Sequence, residues 1–371
     1  MRRIRAGIVG VGKIGLVHLE ALRRLGYAEA AAVVVRDEAR AKALCEFYGI
    51  PKYYLDYRDL LADPGIEVVH DCTPNREHFR INGDALRAGK PVLSEKPLTV
   101  DSRESAELVE VAEATGLRTG VNFVYRHYAV VQHLRGMIEE GRLGVVRAVH
   151  GEYLQDWLLK ETDFDWRVRS EIGGPSRALA DIGSHWLDLA IFLTGCPIRE
   201  ISADTATFLP FRVEPDPSGK GEGRRVPVDT EDYGAALLRF EGGVRGVFAV
   251  SQVSPGRKIG LSIQVDGSLA SARWCQDSPD RLWIGRRDGP NEDFVLHPSL
   301  LNRRGKSVHS YTGGPERWPD AQKNMIDSFY RTILDGVEPL YADFKAGHSV
   351  VRVVESALES GRTGCRVTVA G

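Results

Sequence analysis

Residues 4–25 read IRAGIVGVGKIGLVHLEALRRL, and this stretch decides how the N-terminal part of the chain folds. Ile4 to Val9 form a short β-branched run that stops at Gly10. Lys13 to Leu25 then place Ile14, Val17, Ala21, Leu22 and Leu25 at helical spacing. Strand, tight turn and helix therefore follow one another. The turn is Gly10-Val11-Gly12-Lys13-Ile14-Gly15, the G-x-G-x-x-G pattern in the strand-to-helix context that gives it meaning. Gly10 permits the turn, Gly12 lets the backbone approach a pyrophosphate, and Gly15 lets helix and strand pack closely. The helix N-terminus adds free N–H groups and the positive end of its dipole. A dinucleotide held at Gly10, Gly12, Lys13, Ile14 and Gly15 is the expected ligand.

Outward from this turn the alternation continues. A second strand is expected at 30–35, a helix at 38–48, a short strand near Tyr53, a helix at 58–61 and a buried strand at 68–72. Strands alternating with helices imply an α/β fold with a parallel, doubly wound sheet, a Rossmann domain. The fourth strand runs into Cys72-Thr73-Pro74-Asn75, and His78 opens a helix with Phe79, Ala85 and Leu86 on its apolar face. A fifth strand at 92–93 ends in Ser94-Glu95-Lys96-Pro97. Carboxyl ends of strands line the ligand crevice in such sheets, so a charged pair there suits chemistry better than packing. Pro97 is a candidate for a preceding cis peptide. A helix at 102–115 and a strand at 118–124 complete the domain.

The second strand ends in Val34-Val35-Arg36-Asp37. An NAD-binding domain often carries an acid there for the ribose hydroxyls, and Val35 stands in its place. Arg36 could receive a 2'-phosphate, stack beneath adenine or remain exposed. Asp37 could reach the ribose if the turn is one residue longer. NAD and NADP both remain open as the cofactor.

At 371 residues the chain exceeds what one core usually covers, and two domains are expected, 1–125 and 126–371. Forty-nine basic residues against fifty-one acidic ones give a net charge of -2, which leaves no electrostatic footprint for nucleic acid or an anionic membrane. Small-molecule partners are favoured. The five cysteines, Cys45, Cys72, Cys196, Cys275 and Cys365, are widely spaced with no CxxC pair, so neither a disulfide framework nor a metal site is expected. The N-terminal segment has no signal-peptide core, and no apolar run has the length of a membrane span. A reducing cytoplasm is the expected setting.

GVGKIG at 10–15, CTPN at 72–75, EKP at 95–97 and DIGSHWLD at 181–188, in that order and spacing, resemble the Gfo/Idh/MocA oxidoreductase family, the glucose-fructose oxidoreductase and inositol dehydrogenase type. The resemblance runs over residues 5–361. It implies an N-terminal Rossmann domain and a C-terminal α/β domain built on a large, mostly antiparallel open sheet. Thr73, Pro74, Asn75, His78, Glu95 and Lys96 are expected to join the glycine turn around the cofactor, with Arg36 a further candidate whose role stays open. The residues agree with such a sheet: strands are expected at 145–153, 200–207, 233–240, 244–252 and 259–267, with Gly242-Gly243 at a hairpin. EPDPSGKGEGRR at 214–225 reads as a mobile loop within that domain. Helices at 321–334 and 343–360 are expected near the domain junction.

Asp181, His185 and Asp188 stand at i, i+4 and i+7 of a helix expected to begin near Asp181, where they would share one face. A carboxylate there can orient an imidazole. Oxidation of an alcohol requires the hydroxyl proton to leave as hydride leaves carbon, and a histidine near neutrality is a competent acceptor. His185 is the expected acceptor. Lys96 would stabilise a developing alkoxide or share the proton. The resemblance implies that Lys96, Asp181 and His185 form the catalytic group. Blander readings stand beside these: His185 as a packed helix histidine, Lys96 as a surface lysine, Asp181 as an N-cap, Asp188 as structural or catalytic with equal weight, and His18 as mainly structural.

Substrate-facing candidates are Tyr125, Arg126, Gln155, Trp157, Asp165, Trp166 and Arg167, together with Lys96, Asp181 and His185. Planar aromatics and bidentate polar groups suit a polyhydroxylated ring, although each aromatic could equally be core. Tyr153, Gln155 and Trp157 would share a strand face by period two. QDWLL, DWR and GGPSRALADIGSHW resemble the sugar dehydrogenase branch of the family, which includes levoglucosan dehydrogenase. The expected activity is NAD(P)-dependent hydride transfer to or from a secondary hydroxyl of a sugar, anhydrosugar or cyclic polyol. Two alternatives remain: transient oxidation driving glycoside cleavage or epimerisation on tightly held NAD, and a non-enzymatic dinucleotide sensor. A broad sheet whose outer face needs covering leads to an expected homodimer or homotetramer.

Overall fold

The computed structural model describes residues 3–216, 221–309 and 315–369. The chain divides into two compact units, Met1–His127 with Arg317–His348 and Tyr128–Glu316 with Ser349–Gly371.

The first unit is built from β1 (Ile4–Val9), α1 (Lys13–Leu25), β2 (Ala28–Val34), α2 (Glu38–Tyr48), β3 (Lys52–Tyr54), α3 (Tyr57–Ala62), β4 (Val68–Asp71), α4 (His78–Arg87), β5 (Val92–Ser94), α5 (Ser102–Thr115) and β6 (Thr119–Val121). Among the described residues the strands form one parallel sheet in the order β3-β2-β1-β4-β5-β6, the doubly wound order expected. Helices cover both faces of such a sheet, which is why β2, AEAAAVV, and β4, VVHD, are almost wholly buried rather than alternating. Side chains of Asp37, Asp56 and Asp101 cap α2, α3 and α5, accepting from the backbone N–H groups of Arg40, Arg58 and Glu104. Helix α1 begins at Gly12 and has no side-chain cap. The strand expected over 118–124 stops at Val121, and Val124–His127 form a 3-10 turn instead.

The expected boundary at 125 treats everything beyond it as a second domain, but the structure returns Arg317–His348 to the first unit. The reason is the apolar face of the helix Trp318–Leu334. Met325, Ile326, Phe329 and Tyr330 are fully buried in one cluster with Ile8, Leu19, Leu22 and Leu93. Gly120 makes room for this helix: a Cβ there would come 3.0 Å from Phe329.

The second unit contains α6 (Ala129–Glu139), β7 (Val146–Leu154), α7 (Ser170–Gly173), α8 (Ser184–Thr194), β8 (Ile198–Ala206), β9 (Phe211–Glu214), β10 (Arg224–Pro227), β11 (Tyr233–Phe240), β12 (Arg245–Ser251), β13 (Gly260–Gly267), β14 (Ser271–Cys275), β15 (Arg281–Gly285), β16 (Glu292–Val295) and α9 (Arg303–Val308). The helix of the first unit at Trp318–Leu334 is α10, and α11 (Phe344–Thr363) precedes the last short strand, β17 (Val367–Thr368). Among the described residues a nine-stranded sheet runs in the order β16-β15-β14-β13-β7-β12-β11-β8-β17. Every pairing in it is antiparallel except β7 with β12, so the sheet is the large, mostly antiparallel one expected. Gly242 and Gly243, at φ 71° and 90°, make the turn between β11 and β12 that the pair predicts. β9 and β10 pair separately and hold the two ends of the 214–225 segment, of which residues 217–220 lie outside the described residues.

Helix α8 lies on the buried face of the large sheet. Its Trp186 stacks on Phe248 of β12 with ring centroids 4.9 Å apart, and its indole N–H donates to the Ser262 carbonyl at 3.0 Å. Gly151 on β7 allows this, since a Cβ would stand 2.8 Å from the indole nitrogen. The other face of the sheet carries exposed Leu237, Val247, Trp283 and Val295. Among the described residues no helix is long and apolar enough to cross a membrane.

Candidate active site

In the first unit the three glycines of the turn have different reasons to be glycine. Gly10 has φ 85°, and a Cβ there would lie 2.9 Å from the Cys72 carbonyl. At Gly15 a Cβ would come within 2.2 Å of the Gly10 carbonyl, so the fold itself forbids a side chain. Gly12 meets nothing within 4 Å. It opens onto free space at the uncapped N-terminus of α1, where backbone N–H groups are available to an anion. A cleft of about 580 Å³ passes this point, lined by Gly10, Gly12, Thr73 and Pro74 and by Val35, Arg36, Asp37 and Arg40. The residues present fit a dinucleotide. Lys13 is exposed beside the cleft and Ile14 half-buried.

Thr73 is held by Asp71, which accepts from its hydroxyl at 2.6 Å and its backbone N–H at 3.1 Å. Burial pushes the Asp71 carboxyl up, partly countered by His78 and Thr73. His78 is fully buried and bridges the Pro97 and Thr73 carbonyls at 2.8 and 2.9 Å, bracing the ends of β4 and β5 against each other. Asn75 is buried in the short turn Asn75–Glu77. Glu95 is buried at the end of β5; the half-buried Lys96 follows it, with a cis Lys96–Pro97 peptide as expected. Tyr125 and Arg126 are both buried in the turn Val124–His127.

In the second unit the helix of the DIGSHWLD segment starts differently from the expected form. Leu179–Gly183 make a π-helical turn ahead of α8, so Asp181 and His185 are not related by regular α-helical geometry, and Asp181 is not an N-cap. Its carboxylate is gripped from two sides instead. Arg167 Nε lies 3.2 Å from Oδ1, and the Gln252 amide donates to Oδ2 at 2.9 Å. Gln252 is in turn held by Arg177 at 3.1 Å. Arg177 and Arg212, neither exposed at all, converge on Asp232 at 2.5 and 2.9 Å. Glu231 accepts the backbone N–H groups of Arg177 and Leu179, both at 2.9 Å, and the Ser176 hydroxyl at 2.7 Å, which anchors the start of the π turn. A fully buried charge network therefore ends on Asp181.

His185 is 9% exposed, its ring 6.4 Å from that of Tyr153, whose hydroxyl receives the Gln155 amide at 3.1 Å. Because β7 ends at Leu154, the period-two face does not continue to Trp157; that side chain packs against a small cluster of Leu158, Val168 and Val228. Asp165 pairs with Arg167 at 3.0 Å, and the Arg167 guanidinium lies 4.3 Å over the Trp166 ring. Arg167 thus orients Asp181, beyond the substrate contact expected of it. Asp188 is buried at 1% exposure. Gln252, Arg177, Glu231 and Asp232 were not read from the sequence. Their one local sign is the Glu231-Asp232 pair just before a strand.

Two family models match the chain. One, described as an oxidoreductase family with an NAD-binding Rossmann fold, covers residues 4–123, and the Gfo/Idh/MocA C-terminal domain covers 131–273. The chain belongs to the Gfo/Idh/MocA oxidoreductase family. Within this family it is 29% identical to levoglucosan dehydrogenase of Pseudarthrobacter phenanthrenivorans over 97% of this chain and 96% of that one. It is 30% identical to trans-1,2-dihydrobenzene-1,2-diol dehydrogenase of Sus scrofa, covering 79% of this chain and 80% of the other. The solved structure of levoglucosan dehydrogenase in complex with NADH and L-sorbose superposes with a TM-score of 0.91 at 25% identity, over 100% of both chains. As a Gfo/Idh/MocA protein the chain is an NAD-binding oxidoreductase.

Proposed function

We propose that the protein is an NAD(P)-dependent dehydrogenase that oxidises a secondary hydroxyl of a sugar, anhydrosugar or cyclic polyol, or reduces the corresponding ketone. The observation that carries this reading is Gly12, whose side-chain position is open space at an uncapped helix N-terminus, in a family of oxidoreductases with sugar and diol dehydrogenase relatives. A nicotinamide dinucleotide held at the glycine turn would supply the hydride acceptor or donor. His185 takes the hydroxyl proton, Lys96 presents a cation to the developing alkoxide, and Asp181, held by Arg167 and Gln252, completes the catalytic group. Tyr125, Arg126, Gln155, Trp166 and Arg167 stand as the substrate-contacting set, without Trp157, which packs against its own apolar cluster. The test is a panel of sugars, anhydrosugars and cyclic polyols incubated with NAD or NADP while absorbance of the reduced nicotinamide is followed. Tightly bound dinucleotide with no net reduction by any of them would favour transient oxidation instead.

Beside the NAD that the family binds, the cleft offers a group for the 2'-phosphate of NADP. Asp37, the nearest acid after β2, spends Oδ1 on the α2 cap at 2.6 Å from the Arg40 N–H. Arg40 itself is tied to the Val11 carbonyl at 2.6 Å. Among the described residues Arg36 is left with its side chain 87% exposed and a 3.9 Å pair to Glu77, which bonds Arg80 more closely at 2.6 Å. Arg36 is therefore the group for a 2'-phosphate. Arg36→Ala is expected to weaken NADPH binding by roughly 10- to 100-fold, the scale of one lost charge-assisted bond, and NADH binding hardly at all. Equal effects on both cofactors in a fluorescence titration would remove Arg36 from this role.

The exposed Leu237, Val247, Trp283 and Val295 on one face of the large sheet favour self-association through that face. Sedimentation at micromolar concentration is expected to show a dimer or tetramer. Monomer alone would argue against it, and Leu237→Asp is the variant expected to shift the distribution downward.

A further inference from the structure

In the first unit a file of buried side chains has no part in the chemistry outlined above. His18 on α1, His70 on β4 and Tyr330 on α10 are each 0% exposed. The Tyr330 hydroxyl lies 2.9 Å from His70 Nε2, His70 Nδ1 lies 2.9 Å from His18 Nδ1, and His18 Nε2 lies 3.0 Å from Oε1 of Glu95. The two imidazoles meet edge to face, their centroids 5.1 Å apart. Asn122 adds a second donor to the same Glu95 oxygen at 2.5 Å and exchanges two 3.1 Å hydrogen bonds with Gln322.

The direction of donation follows from the two ends. Burial opposes charge on Glu95, but the bond from His18 and the neighbouring Lys96 and Asn122 outweigh it and hold the carboxyl down at about 2. Glu95 therefore only accepts. Burial pushes the Tyr330 hydroxyl well above its usual 10, so this end keeps its proton and can donate it into a bond. Burial and the adjacent His18 keep His70 neutral. A neutral imidazole offers one donor and one acceptor. Glu95 can only accept, so His18 donates to it through Nε2, and His70, with one donor and one acceptor nitrogen, joins His18 to Tyr330.

We propose that Tyr330, His70 and His18 are positioning residues for Lys96, a hydrogen-bonded file that fixes the Glu95 carboxylate so that its second oxygen takes the backbone N–H of Lys96 at 3.3 Å. The file thereby sets where the Lys96 side chain starts at the end of β5. This rests on the reading of Lys96 as a catalytic group. Small displacements of such a group are costly, about 100-fold in rate for 1 Å.

Two measurements test it. In the 15N spectrum of the cofactor-loaded enzyme, His18 is expected to carry a proton on Nε2 and His70 a single ring proton. A His18 with no proton on Nε2 would overturn the file. In steady-state kinetics, His18→Leu removes the donor and is expected to lower kcat roughly tenfold or more, with KM and cofactor affinity within about threefold and a cooperative melt retained. His18→Gln places an amide nitrogen near the Nε2 position and is expected to restore most of the turnover. Equal losses in both variants would reduce His18 to packing. In a Lys96→Met background, His18→Leu should cost little more, as expected of groups acting as one unit. Wild-type turnover in His18→Leu beside an impaired Lys96→Met overturns this proposal alone. Near-normal turnover in Lys96→Met overturns the reading of Lys96 and the proposal with it.

Discussion

Lys96→Met is expected to lower turnover roughly 100-fold or more while changing cofactor affinity far less, the scale typical of a general acid–base group. Methionine keeps the length and apolar stem of lysine, so the change removes the charge and the N–H donors with little loss of volume. Lys96 is half-buried behind a buried Glu95 and ahead of Pro97, a setting that a freely solvated surface lysine would not need. His185→Ala should act on the same step. The double variant should then be much less than multiplicatively impaired, because groups that handle one proton fail together. The pH profile of kcat should show a limb requiring a deprotonated group, altered by either change. Near-normal turnover in Lys96→Met would return Lys96 to the surface.

Gly12→Val is expected to abolish dinucleotide binding with the fold intact. The backbone at Gly12 has φ -83°, open to any residue, and a Cβ there would touch nothing within 4 Å. The added methyls would occupy only the space reserved for the pyrophosphate. Gly15→Ala is the contrasting control: its Cβ would fall 2.2 Å from the Gly10 carbonyl and must disturb the turn itself. Equilibrium titration with NADH and a thermal melt separate the two. Unchanged cofactor affinity in Gly12→Val would remove the glycine turn from the binding site.

The parallel sheet was legible because β1 through α1 compresses strand, turn and helix into 22 residues whose periodicity and glycines agree at every position. The Asp181 segment was legible as a motif but not as a geometry, since nothing in DIGSHWLD distinguishes a π turn from a regular first turn. Arg167 and Gln252 reach Asp181 from 14 and 71 positions away in the chain, and such pairings leave no local periodicity to read. The strands β14 to β16 are only four or five residues long, too short for a period of two to stand out in the sequence, although β14 and β15 alternate buried and exposed once folded. His18 was read as structural. Its bonds to His70 and Glu95 span 52 and 77 positions and hold it in an orientation that helix spacing cannot reveal.

The return of Arg317–His348 to the first unit bears on how the protein is made. The ribosome releases β1 to β6 early, yet the Met325, Ile326, Phe329 and Tyr330 side chains that seal one side of that sheet emerge some two hundred residues later. At ordinary elongation rates that interval is roughly 10 to 40 s. During it the nascent sheet carries an uncovered apolar face, with Leu93 and Ile8 beneath it. This is the stretch of synthesis in which a chaperone that shields hydrophobic surface would have most to do, and an N-terminal fragment ending at His127 should remain prone to aggregate however sound its Rossmann topology.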